Sequence, residues 1–424
     1  MFFYAWGEPM WIALLLFTSF FNYGFGMLIE RQKQQKTALI FAVIVNLGLL
    51  IAFKYSGFLW DNINMLVSLP FPRPVNSLPI GISFYTFQTI SYLVDIKRRE
   101  IKSQRNPLNF LMYISMFPQL VAGPIVRYRL VEDALTNRKV TWDDVSAGVS
   151  RFALGLFKKV VIANIAAEMV KRYLDDGFDV LSTGEAWFGI IMFAVQIYFD
   201  FSGYSDMAIG LARMFGFKLE ENFRHPYAAV SCGDFYRRWH ISLGQFYRDY
   251  VYIPLGGNRR HHELNIMIVW ALTGIWHGAS WNFMFWGLYF GVFMVIENRL
   301  KKLINMMPMI IKRFYTVFII LFSWSIFYFT DFGQLKAFII NLFCSSHPVG
   351  INFVSDLREH AFWFVLILLL CIPWNEIYPK GSHLNTIYST SYNYLQPVIS
   401  VVLLLSSTVI LVGSTYNPFI YFRF

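Results

Sequence analysis

Charge is what this sequence has least of. Asp, Glu, Lys and Arg make up only 15% of its 424 residues, while 56% are hydrophobic. A soluble domain carries about 25% charged side chains. The shortage excludes an ordinary cytosolic globular protein, and the apolar content excludes disorder. Cysteine is nearly absent too: Cys232, Cys344 and Cys371 stand far apart with no Cys-x-x-Cys pair, so neither a disulfide framework nor a zinc site is predicted. There is no internal repeat, no low-complexity linker and no polar stretch of domain size. The opening residues lack the basic region and small-residue cleavage site of a signal peptide.

Apolar runs are abundant. A helix needs roughly 17–25 apolar residues to cross a bilayer. Uncharged stretches near that length cover residues 10–27, 37–53, 78–94, 108–126, 314–330, 361–374 and 398–413. Residues 186–199 form a shorter one ending at Asp200, and 335–344 a doubtful one. Pro118 and Gly123-Pro124 interrupt the stretch 108–126. Residues 264–296 are long enough for two spans and contain one titratable group, His277. The expected architecture is all-α: a polytopic membrane protein with about nine to eleven helices crossing or entering the bilayer. The 44 Phe, 24 Tyr and 13 Trp suit lipid-facing helices with interfacial belts.

The net charge of +10 reads as topology rather than as nucleic-acid binding. Arg31, Lys33 and Lys36 mark the first loop, the loop over 54–77 is poor in charge, and Lys97, Arg98, Arg99, Lys102 and Arg105 mark the third. Basic, neutral, basic places the first and third loops in the cytoplasm, together with residues 299–313. Two segments mix charge with apolar residues: 145–173, which reads as an interfacial or re-entrant helix, and 233–250, which reads as one helix buried by protein.

Ionisable groups inside apolar spans are the first candidates for chemistry, because burying them there is costly. His277 sits between Gly274, Trp276, Gly278 and Trp281. Small residues permit close approach, the indoles can wall a pocket, and a neutral imidazole can take a proton. The competing reading is a histidine merely hydrogen-bonded between helices. A second candidate is Arg237-Arg238-Trp239-His240: His240 as an acid/base or positioning group, the arginines as holders of a phosphate or carboxylate. Here a basic helix that only satisfies topology competes evenly. Asp200, Ser202, Ser205 and Asp206 read as turn and helix-cap chemistry, since no Gly-x-Ser-x-Gly elbow exists. Gly256-Gly257-Asn258 signals a turn followed by Arg259 and Arg260, with no nucleotide-loop spacing. His261-His262-Glu263 lacks metal-ligand spacing, so no metal is expected.

Taken in order, several motifs become specific together. They are residues 83–88, 117–125, 198–208 (YFDFSGYSDMA), 222–227 (NFRHPY), 235–242, 252–259 (YIPLGGNR), 273–278 (TGIWHG) and 417–422 (NPFIYF). In this order they resemble the membrane-bound O-acyltransferase family, and within it the bacterial alginate O-acetylation branch. The resemblance covers nearly the whole chain as a single membrane domain, with its central motifs over about residues 196–296. Relatives carry further N-terminal helices before a segment like residues 2–9 here, which makes the N-terminal part shorter than theirs.

The resemblance implies a ring of helices around a thin core, with a tunnel joining the two faces of a bacterial cytoplasmic membrane. It places His277 at the family's active-site histidine and His240 at its second active-site position. The implied activity is transfer of an acyl group, acetyl first, from a cytoplasmic thioester such as acetyl-CoA to a hydroxyl. The implied acceptor is an exopolysaccharide outside the membrane or a periplasmic acetyltransferase partner. No bound cofactor is expected. In this scheme His277 is the base; Trp276, Trp281 and Gly278 shape a dry pocket; His240 stabilises the oxyanion or positions the donor. Arg237, Arg238, Arg259 and Arg260 meet donor phosphates. The rivals are D-alanyl transfer to teichoic acid, peptidoglycan O-acetylation, and, in another class, a transporter without acyl chemistry, whose broken helices and midplane histidine would look similar.

Overall fold

The computed structural model describes residues 2–31, 35–74, 77–120, 123–373, 383–413 and 419, with side chains from residue 395 onward in the last helix. Lys33, Val121, Ala122, Trp374 and the 417–422 motif apart from Phe419 lie outside the described residues. Every regular element among the described residues is helical. Among the described residues, five helices are long and apolar enough to cross a bilayer: Ile12–Arg31, Gln35–Asn64, Thr183–Met214, Met309–Tyr328 and Leu395–Gly413. Ile82–Lys97, His262–His277 and Trp281–Arg299 are shorter or more polar. The stretch expected to be interrupted at Pro118 breaks just before it, at residues 115–116, into Pro107–Ile114 and Phe117–Leu120.

The central helix Thr183–Met214 is the axis of the molecule, and 83% of its most apolar window is buried. Ser182 starts it with a capping box, its Oγ accepting from the Glu185 amide while the Glu185 carboxylate accepts from the Ser182 amide. Asp200 and Asp206 do not make the turn and caps expected of them; both sit within this helix. A buried carboxylate is tolerated when it is paired, and here the partners come from one side. Lys159 Nζ lies 2.7 Å from Asp200, while Lys158 Nζ and Arg151 Nη2 each lie 2.6 Å from Asp206.

Those cations belong to the helical run over 142–175, expected as an interfacial or re-entrant piece, which instead packs along the central helix. Glycines set the distance. A Cβ on Gly155 would fall 2.5 Å from the Gly203 carbonyl oxygen, and one on Gly210 would fall 2.6 Å from that of Gly148. Both pairs repeat at seven residues, so the two backbones touch along one stripe, as small residues permit in membranes.

Two hydrophobic clusters result. One joins the N-terminal helices to Ile82–Lys97 and includes Leu15, Ala42, Tyr92 and Phe110. Inside it Asn22 and Asn46 exchange side-chain hydrogen bonds at 3.0 and 2.8 Å, and Thr89 donates to Asn46 Oδ1 at 3.2 Å. The larger cluster surrounds the central helix with Phe193, Trp239, Trp286 and Trp324. Trp276 reaches Phe84 and Phe87 of Ile82–Lys97, with ring centroids 5.9 and 5.8 Å apart.

Candidate active site

The double-length apolar run folds as a hairpin of His262–His277 and Trp281–Arg299. Its arms touch backbone to backbone: a Cβ on Gly274 would meet the Phe283 carbonyl oxygen at 2.2 Å, and one on Gly287 that of Trp270 at 2.1 Å. His277 is the last residue of the first arm. Its buried ring lies edge-on to Trp276, Trp286 and Phe327, with centroids 5.0, 5.0 and 5.3 Å away.

The final carbonyls of a helix have no partner within it. Here two consecutive side chains supply them. Gln35–Leu50 runs into a π-turn at Ile51–Tyr55 before continuing as Ser56–Asn64. From that turn Tyr55 Oη donates to the Ile275 carbonyl at 2.8 Å. Lys54 Nζ donates to the Trp276 carbonyl and, at 3.3 Å, to that of His277. A cation at a helix C-terminus also favours the helix dipole. Lys54 therefore fixes the backbone that carries His277. In sequence Lys54 stands one residue past the uncharged run 37–53, at the edge of the loop expected over 54–77.

The segment 233–250 is not one helix. It breaks between Cys232–Arg238 and Ile241–Tyr247, and His240 sits at the break with φ +44°. That conformation is uncommon for a residue with a Cβ. Glu297 holds the start of Cys232–Arg238, accepting from the amides of Cys232 at 2.7 Å and Gly233 at 3.2 Å. The His240 ring is buried and held from one side: Nδ1 lies 3.1 Å from Asn222 Oδ1. That same oxygen accepts from Ser242 Oγ at 2.9 Å, and Asn222 Nδ2 donates to Ser205 Oγ at 3.2 Å. The network makes Oδ1 an acceptor, so Nδ1 carries the hydrogen and Nε2 of the neutral ring carries a lone pair. Nε2 has no partner among the described residues.

His240 and His277 line one cavity of about 700 Å³, together with Tyr236, Arg224, Arg237, Arg248 and Thr273. The Tyr236 hydroxyl is buried with no partner among the described residues. Trp276 stands between the two histidines, its ring 5.8 Å from His240 and 5.0 Å from His277. It lines a second, apolar groove of about 680 Å³, and so does Trp281, whose Nε1 donates to Asn62 at 2.8 Å.

Of the four arginines singled out in the sequence, Arg237 lines the histidine cavity. Arg238 pairs with Asp234 at 3.2 Å. Arg259 and Arg260 are exposed on the turn after Gly256 and Gly257 and line neither cavity. Lys54, Asn222 and Tyr236 were missed. Asn222 and Tyr236 lie inside recognised motifs, but nothing in their spacing marks them as site residues.

An all-helical membrane protein with two histidines lining one cavity is the class that fold and site define. The model of the MBOAT, membrane-bound O-acyltransferase, family matches residues 2–333. The chain belongs to that family, and membership makes it an O-acyltransferase. It is similar to a probable alginate O-acetylase of Azotobacter vinelandii, 39% identical over 77% of this chain and 67% of that protein. It is also similar to a peptidoglycan O-acetyltransferase of Helicobacter pylori, 36% identical over 77% of this chain and 69% of that one. A teichoic acid D-alanyltransferase of Bacillus subtilis is 27% identical over 53% of this chain and 60% of its own length. The chain thus spans about two thirds of the length of the more similar relatives.

Proposed function

We propose that the protein transfers an acetyl group from a cytoplasmic thioester, acetyl-CoA first, to a hydroxyl of a polysaccharide outside the cytoplasmic membrane, directly or through a periplasmic acetyltransferase partner. The observation that carries this reading is the cavity on which His277 and the free Nε2 of His240 meet. Acyl transfer to a hydroxyl needs a base, donors for the tetrahedral oxyanion, and exclusion of water from the thioester. His277 takes the hydroxyl proton as that oxygen bonds to the acyl carbon. The thioester C–S bond then breaks, and the proton passes to the departing thiolate.

Of the two tasks expected of His240, its hydrogen bonding favours positioning the donor over stabilising the oxyanion. With its hydrogen on Nδ1, the neutral ring offers an acceptor at Nε2 and cannot donate there to an oxyanion. It orients the attacking hydroxyl or a donor N–H. The unpaired Tyr236 hydroxyl supplies the donor that the oxyanion requires. Trp276 and the aromatic rings around His277 keep the site dry. Acetyl is favoured over D-alanyl by the relatives: those named for O-acetylation match at 36–40% over 77% of this chain, the D-alanyltransferases at 27–29% over 53%.

The test is transfer of label from acetyl-CoA in membranes holding wild type or His277→Ala at equal folded levels, with polysaccharide and partner supplied. Removing a positioned base costs about 10²–10⁴ in rate. Label on an acceptor with wild type alone supports the reading. Near-full activity in the variant removes His277 from the chemistry. Turnover with an acylated carrier protein, but not with acetyl-CoA, replaces the donor.

A further inference from the structure

A third cavity, of about 640 Å³, lies where the basic loop over 97–105 meets the π-turn at Arg248–Tyr252. Four guanidiniums line it, those of Arg98, Arg127, Arg129 and Arg248, against two carboxylates, Glu100 and Asp249. Asp249 is oversubscribed. Its Oδ2 takes Arg127 Nη1 at 2.6 Å and Arg248 Nη2 at 3.3 Å and lies 3.9 Å from Arg129; its Oδ1 takes Arg248 Nε at 2.7 Å. Glu100 takes Arg129 at 3.2 Å and lies 4.0 Å from Arg98. Arg98 otherwise ends on the Asp249 backbone carbonyl at 2.8 Å.

The Arg127 side chain is 4% exposed, and its Nη2 has no acceptor among the described residues. A buried guanidinium with an idle donor is costly unless something supplies an oxygen. The forks are also held in place. Arg98 and Arg127 lie 5.3 and 5.4 Å from the Tyr250 ring, and the Tyr250 hydroxyl is fixed on Asp95 at 2.8 and 2.9 Å. Fixed guanidinium forks with spare N–H groups match phosphate oxygens in geometry and charge.

We propose that this cavity binds the phosphate groups of a ligand whose tail enters the histidine cavity. The two cavities share Arg248, so a molecule anchored by phosphate among these arginines passes that side chain to reach His240 and His277. A coenzyme A thioester has this form, and its identification as the ligand rests on the acetyl-transfer reading. An anionic phospholipid headgroup offers the same phosphate chemistry.

The experiment uses the full chain, purified in detergent, and coenzyme A itself, which has no acyl group to transfer. Binding of coenzyme A and of pantetheine, which lacks phosphate, is measured by calorimetry for wild type, Arg127→Gln and Arg129→Gln. Arg129 is 41% exposed in its side chain, so its variant folds even if the Arg127 variant does not. Coenzyme A should bind the wild type more tightly than pantetheine does, and each variant should lose about tenfold in coenzyme A affinity and little in pantetheine affinity. In parallel, melting is compared in nanodiscs of phosphatidylglycerol and of phosphatidylcholine. If coenzyme A affinity is equal in all three proteins but phosphatidylglycerol stabilises only the wild type, the phosphate comes from lipid and the site stands. If folded variants match the wild type in both arms, the proposal is overturned and the cluster only braces the chain. A wild type that binds coenzyme A through these arginines yet transfers no acetyl keeps this site and loses the proposed function.

Discussion

Replacing Lys54 with Met tests whether the π-turn positions His277, the proposed base. The ammonium holds the carbonyls of Trp276 and His277, the last two of their helix. Met fills similar volume and donates nothing. Two buried carbonyls then lose their partner, each at about 1–3 kcal/mol, and the cation at the helix end goes, at about 0.3–1 kcal/mol and up to ~2 when partly buried. Part of this is offset, because Met no longer carries a charge out of water. The net loss is therefore a few kcal/mol, concentrated on the residues that hold His277. Misplacing a reacting group by about 1 Å costs on the order of 10² in rate. The assay is acetyl transfer by folded protein, with kcat and donor KM separated and melting followed alongside. We expect kcat to fall about 10²-fold with KM nearly unchanged, since Lys54 lines neither the histidine cavity nor the arginine cluster. Lys54→Arg, which restores donors and charge, should recover part of kcat. A Lys54→Met protein with wild-type kcat would refute the reasoning, whatever its melting temperature.

Tyr236→Phe removes one unpaired hydroxyl and no packing; it should lower kcat by about 10²–10³ with unchanged melting, checked in the same assay. Asn222→Ala frees the hydrogen on His240 Nδ1 from its acceptor and should cut kcat, while Asn222→Asp, which keeps the acceptor, should retain more of it. Lys159→Met leaves Asp200 without its cation and should destabilise by about 3–5 kcal/mol; adding Asp200→Leu should recover most of that loss in thermal melts. Asn46→Ala removes the Asn22 and Thr89 contacts and should cost about 0.6–1.7 kcal/mol, measurable the same way.

Composition and run length made the helical membrane class legible, and His277 stood out because a single titratable group in a double-length apolar run is conspicuous. That this run was long enough for two spans was equally readable. The break at His240 was not. The aromatic and charged pattern over 233–250 continues as if helical, and the left-handed turn depends on Asn222 and the packing around it. The ion pairs of Asp200 and Asp206 were hidden for a related reason: their partners lie 41 to 55 residues away, and only the glycine stripe brings the two helices close enough. The exposure of Arg259 and Arg260 was not legible, because a charge at the end of a motif looks the same in sequence whether it faces a cavity or the outside.

His240 occupies a backbone conformation in which glycine is at ease and a side chain is not. Relieving that strain with glycine would open a cavity where the buried imidazole packs on Phe201 and bonds Asn222. Any campaign to stabilise this protein therefore meets opposing demands at residue 240 and needs turnover as a second criterion there.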